Sequence, residues 1–110
     1  MSTRAHILIK GRSEQFCLYH HHDGYPEGVG KALKNYLNNI KWTWYPDDIA
    51  NDLVKGHIDD EYEITSCMHG DEEYLYLIDC DKSQLVGYEI HTNEDTYKDI
   101  MQDKNKVEIP

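Results

Sequence analysis

Hydrophobic and polar positions alternate with a period of two at both ends of the chain and with a helical period between them. Residues 4–10 set Ala5, Ile7 and Ile9 against His6, Leu8 and Lys10, which predicts a strand. Lys10, Gly11, Arg12 and Ser13 read as a turn. Residues 15–21 follow as a second strand, with Phe16, Leu18 and His20 on one face and Cys17, Tyr19 and His21 on the other. A short polar turn between two such runs predicts an antiparallel hairpin. Val29, Leu33, Tyr36, Leu37 and Ile40 then recur at three- and four-residue steps, predicting a helix over residues 28–40. Pro46, Asp47 and Asp48 make a good helix start, because proline fits the first turn and the acids complement the helix dipole. Ile49, Ala50, Leu53 and Val54 continue it until Gly56.

The two-residue period returns over residues 62–68, 73–79 and 85–91, with turns expected at residues 69–71 and 81–83. Residues 73–79 are apolar on both faces, as a central strand would be. The tail offers a capping candidate near Asn93, a weak helical spacing in Tyr97, Ile100 and Met101, and a strand-like end at residues 107–109. The expected order is β-β-α-α-β-β-β. That order implies an α+β fold, with an antiparallel sheet of about five strands and two helices packed on one face. All 110 residues are expected to form a single domain.

Nine tyrosines against one phenylalanine, Phe16, point to a thin core with rings along its margin or to a contact surface, each buried hydroxyl needing a partner. Residues 1–55 carry seven Lys/Arg and six Asp/Glu, whereas residues 56–110 carry four and fifteen. The net charge of −10 therefore resides in the second half. Such a surface repels nucleic acid and anionic membrane and favours basic partners. Cys17, Cys67 and Cys80 form no Cys-x-x-Cys pair and are expected as free thiols. No apolar run approaches the ~18 residues of a membrane span and no signal-peptide pattern opens the chain, so a cytoplasmic location is expected.

The densest chemistry lies in residues 19–30, which hold His20, His21 and His22, then Asp23, Gly24, Tyr25, Pro26, Glu27, Gly28 and Gly30. In a strand His20 and His22 share a face and His21 takes the other, so at most two of the three could meet one ion. A metal-dependent enzyme would need a further ligand such as His69, and no recognised zinc spacing is present. Gly28, Gly30 and Lys31 at a helix start could sequester a small phosphorylated ligand. Their spacing matches neither a dinucleotide nor a Walker loop, and turn geometry accounts for the glycines. Trp42, Trp44 and Tyr45 are candidate partner-binding aromatics, or else a lid packing the two helices onto the sheet. No residue set forms a recognisable catalytic motif, and no cofactor is expected.

Tyr19-x-His21-x-Asp23-Gly24-Tyr25-Pro26-x-Gly28-x-Gly30, with the earlier Ser2-Thr3-Arg4-Ala5, resembles a group of small phage- and prophage-encoded proteins. The later His69-Gly70-Asp71-x-Glu73-Tyr74-x-Tyr76 fits the same pattern. An aromatic residue often stands there at the position of His22, which argues against a three-histidine metal site. The resemblance implies a viral accessory setting and brings no active site with it. Small acidic proteins of that kind commonly occupy host or defence proteins, and an acidic surface can imitate nucleic acid in the basic channel of a CRISPR effector. The leading expectation is a non-enzymatic, anti-CRISPR-like inhibitor of a basic host or defence protein. Its contact surface would be Asp59, Asp60, Glu61, Glu63, Asp71, Glu72 and Glu73.

Overall fold

The computed structural model describes residues 3–40, 44–66 and 68–110. Six strands form one sheet: β1 Arg4–Lys10, β2 Gln15–His20, β3 Tyr62–Thr65, β4 Glu72–Asp79, β5 Gln84–Glu89 and β6 Lys106–Val107. Their order is β3-β2-β1-β4-β5-β6. Three α-helices accompany them: α1 Lys31–Asn39, α2 Pro46–Val54 and the short α3 Tyr97–Ile100. No helix among the described residues is long and apolar enough to cross a membrane.

The α+β class matches the expectation, but the sheet is mixed. Short turns make β1–β2 and β4–β5 antiparallel, and β2–β3 is antiparallel as well. The central seam, β1 against β4, is parallel, with Ile7 opposite Tyr76 and Ile9 opposite Ile78. β3 and β4 are consecutive in sequence, yet they lie on opposite sides of the β1–β2 hairpin. The chain crosses the hairpin between them and enters β4 in the same direction as β1, and local periodicity carries no trace of it. β6 adds the sixth strand by pairing Gly87 with Val107 and Tyr88 with Lys106.

One face of the sheet carries Ala5, Ile7, Ile9, Leu18, Tyr76 and Ile78. These pack against Val29, Leu33 and Leu37 from the first helical segment and Ile49, Ala50 and Leu53 from α2. Burial of each Val, Leu or Ile side chain here stabilises the fold by roughly 1.5–3 kcal/mol. The other face has its own core of Leu8, Leu75 and Tyr88, covered by Ile100 of α3 with Tyr97 and Met101 beside it. The tail is therefore a third layer, where two helices on one face were expected. Buried Asn105 holds it in place, donating to Ile100 O at 2.9 Å and Glu94 Oε2 at 2.8 Å. Tyr76 is fully buried between the layers and donates to Gly24 O at 2.6 Å, a central place where rings along the margin were expected.

The corner joining β2 to α1 is tightly packed. Asp23 has φ 54°, and its carbonyl accepts from Val29 N at 2.8 Å. A wide turn, Pro26–Gly30, then leads into the helix, with Lys31 N reaching back to Pro26 O. A Cβ at Gly28 would lie 2.2 Å from Asp23 O, so only glycine fits there.

Candidate functional site

The sheet topology gathers distant segments at one end. β1, β3 and β4 begin there, while β2 and β5 finish there. Residues 19–25, 59–63, 69–73 and 89–95 consequently surround Arg4. Together they hold eleven carboxylates and no Lys or Arg; Arg4 lies among them, and Lys104 borders residues 91–94 at the margin. The two turns at the opposite end, residues 10–15 and 79–84, balance Lys10, Arg12 and Lys82 against Glu14, Asp79 and Asp81. The asymmetry first visible between halves of the sequence is thus an asymmetry between two ends of the molecule.

At this end the buried Tyr19 is the organising residue. Its hydroxyl donates to both Asp71 oxygens at 2.9 Å, and Arg4 Nε stands 3.4 Å from the same carboxylate. The connector between β3 and β4 lays the His69 ring flat on Tyr19, with centroids 3.8 Å apart, while His21 meets Tyr19 edge-on at 4.7 Å. Burial, followed by the bond to Asp71, pushes the Tyr19 pKa up to about 12, so the hydroxyl stays a donor at neutral pH. Thr65 Oγ1 lies 3.0 Å from His69 Nε2.

The histidines of the corner diverge. His20 Nε2 meets Asp59 Oδ2 at 3.0 Å, His21 Nε2 meets Glu63 Oε1 at 3.2 Å, and His22 Nε2 lies 3.8 Å from Glu61 Oε2. His22 N donates to His20 Nδ1 at 3.3 Å, so the His20 proton sits on Nε2, directed at Asp59. His20, His22 and His69 point to different partners. Among the described residues, no group of three or more His, Cys, Asp or Glu side chains is placed to hold a metal ion. Gly28 and Gly30 pack on Asp23 and Tyr76, and Gly28 N and Val29 N are engaged by Tyr25 O and Asp23 O. Lys31 is exposed at the start of α1. Tyr25 is exposed, its hydroxyl donating to Asp23 Oδ1 at 3.2 Å, and Pro26 is buried.

Of the expected acidic surface, Asp60, Glu63, Asp71 and Glu73 are exposed and Asp59 and Glu61 are half-buried. Glu72 departs from it. Its carboxylate turns inward, where His69 N and Gly70 N donate to it at 2.8–3.0 Å. Beside it runs a cleft of about 570 Å³, lined on one side by residues 68–73 and on the other by residues 90–95. His91 stands on the far wall, 2.8 Å from Glu89 and 3.3 Å from Glu94. The aromatic candidates do not join this surface. Trp44 is half-buried against the larger core, and Tyr45, 55% exposed, lies with it near residues 11–14 at the opposite end. Trp42 lies outside the described residues.

Beside Tyr19, across the β1–β2 pairing, lies a second polar cluster that the sequence patterns did not reveal. His6 is fully buried, its Nε2 2.8 Å from the Tyr97 hydroxyl, and that hydroxyl is 3.1 Å from Cys17 Sγ. On the other side of the ring, Nδ1 faces Glu72 Oε2 at 3.4 Å, longer than a good hydrogen bond. Burial opposes the charge on Glu72, but His6 and the two N–H groups outweigh it and pull its pKa down from 4.5 to about 2. Burial likewise opposes protonation of His6, yet the nearby Cys17 and Glu72 raise its pKa above 6.5. The one clue in the sequence is His6 itself, an ionisable residue sharing a strand face with Leu8, opposite Ala5 and Ile7. Its partners are 11, 66 and 91 positions away, and no spacing rule links them.

No protein-family model, curated protein or solved structure matches this chain.

Proposed function

We propose that this protein acts by non-enzymatic binding, presenting its acidic end to a basic protein and occupying the surface where that protein would hold nucleic acid. The observation that supports the reading is the sorting of charge by topology: eleven carboxylates gather around Arg4 at one end, and the opposite turns are balanced. The cleft between residues 68–73 and 90–95 would admit a lysine or arginine side chain among Asp71, Glu73, Glu94 and Asp95. A partner that normally binds phosphates offers such side chains at close spacing. In a phage setting this is the mode of an anti-CRISPR-like inhibitor.

The test is competition. Nucleic-acid-binding effectors, CRISPR nucleases among them, are loaded with fluorescent duplex or guide RNA and titrated with the protein over a salt series. Displacement at low salt that weakens steeply with added salt is the expected result. A variant combining Asp60→Asn, Glu63→Gln, Asp71→Asn and Glu73→Gln is expected to lose at least tenfold in potency, about 1.4 kcal/mol. Displacement that is insensitive to salt, or equal potency in the neutralised variant, overturns the reading.

A further inference from the structure

Cys17, Tyr97, His6 and Glu72 form one continuous chain of groups able to move a proton. Sγ lies 3.1 Å from the Tyr97 hydroxyl, that hydroxyl 2.8 Å from His6 Nε2, and His6 Nδ1 3.4 Å from Glu72 Oε2. The order of parts is that of an activated nucleophile: thiol, relay, base and orienting carboxylate. Each part is held by a different element, Cys17 by β2, Tyr97 by α3, His6 by β1 and Glu72 by β4. The carboxylate is fixed in turn by His69 N and Gly70 N. His6 has no exposed surface, and its Nδ1 has no hydrogen-bond partner other than the carboxylate it approaches. Burial opposes the charge on that imidazole, and its neighbours Cys17 and Glu72 favour it.

We propose that Cys17 is a redox-active thiolate, its proton relayed through Tyr97 to His6, and that small hydroperoxides oxidise it to the sulfenic acid. In the relay the thiol proton passes to the Tyr97 oxygen as the Tyr97 proton passes to Nε2. This leaves an imidazolium facing Glu72 and a tyrosine hydroxyl donating to the sulfur anion. In the oxidation, a sulfur lone pair attacks the terminal peroxide oxygen and the O–O bond breaks. The departing hydroxide or alkoxide takes the proton back from His6 through Tyr97, leaving as water or alcohol. The peroxide supplies the oxidising equivalents. A small electrophile is favoured because Cys17 is half-buried, packed against the apolar cluster that contains Leu8, Met68 and Met101. The same geometry explains the direction of the Cys17 pKa. Burial alone would raise it, but the nearby His6 and the hydrogen bond with Tyr97 bring it below its ordinary value. Cys80 makes an internal contrast, since burial and then Asp79 and Asp81 push its thiol up to about 11.

The experiment treats the intact protein with hydrogen peroxide in the presence of a sulfenic-acid-trapping dione and reads each cysteine peptide by mass spectrometry. In parallel, the rate of alkylation by iodoacetamide is followed against pH. Cys17 is expected to be trapped at least tenfold faster than Cys80, with an alkylation midpoint below the ordinary ~8.5 of a free thiol. Tyr97→Phe breaks the relay and is expected to slow Cys17 about tenfold at neutral pH, as a one-unit rise in midpoint requires. A wild-type Cys17 that reacts no faster than Cys80, or that titrates at or above ~8.5, overturns the proposal whether or not the variant folds. An unchanged rate in folded Tyr97→Phe overturns it too.

Discussion

Glu72 and His6 face each other with no exposed side-chain surface on either. Their pKa shifts run in opposite directions, and each carries its own pH limit. Glu72 is held down from 4.5 to about 2, so its contribution is complete above pH 4.5 and is lost as pH falls towards about 2. His6 is held above 6.5, so its contribution is complete below that value and is lost as pH rises through its folded pKa. Both are complete only between pH 4.5 and 6.5. The thermal midpoint is expected to peak in that window and to decline on either side. Glu72→Gln leaves a charged imidazole unpaired in the interior, and a loss of roughly 3 kcal/mol is expected at the optimum. The same substitution should flatten the acid limb in a denaturant series run from pH 3 to pH 8. A wild-type profile that is flat over this range would show that the pair titrates alike in folded and unfolded chains.

Among the elements, the wide turn Pro26–Gly30 is the least forgiving. A Cβ at Gly28 would stand 2.2 Å from the Asp23 carbonyl oxygen and 3.1 Å from its carbon, so backbone rather than a side chain would have to yield. Gly28→Ala is expected to cost about 2 kcal/mol, in the range of overpacking, measured as a lowered urea midpoint. Gly70→Ala, with open space but φ 93°, should cost less, near 1 kcal/mol. Equal costs would mean that the corner relaxes freely. The elements were legible in the sequence wherever one face was buried. The alternation in residues 4–10 and the stripe of Leu33 and Leu37 are what β1 and α1 bury. The Pro46–Asp47–Asp48 start was legible for the same reason as any helix entry, a local one. The parallel seam between β1 and β4 was not, because two hairpins can be joined either way without altering any residue's period. The spacing of Tyr97, Ile100 and Met101 did mark α3 as a weak helix, but not its seat on the second face, which rests on the Thr96 cap and on Asn105 reaching back to Ile100 O. The relay beside Tyr19 depends on both of these features, since the parallel seam brings Glu72 to His6 and α3 brings Tyr97.

At the scale of the whole molecule, the acidic end bears a cost that any binding role would have to tolerate. Carboxylates crowded around Arg4 repel one another, and the repulsion is felt in the compact state more than in the extended chain. Asp60 and Glu73 are exposed there, while Asp81 is exposed at the balanced end. Reversing a charge should therefore have opposite consequences at the two ends. Asp60→Lys or Glu73→Lys is expected to stabilise the fold by a few tenths of a kcal/mol at 20 mM salt, and Asp81→Lys to leave it unchanged or slightly weaker. The Debye length falls from tens of ångströms to about 3 Å at 1 M salt, so the difference should vanish there while the wild-type protein gains stability. Denaturant titrations of the three variants at both salt concentrations measure this directly. The same pair of substitutions should weaken competition for a basic partner, so the residues that hinder folding would be those that bind. Equal effects at both ends would mean that net charge alone governs stability, and topological sorting of charge would then lose its claim to mark the binding surface.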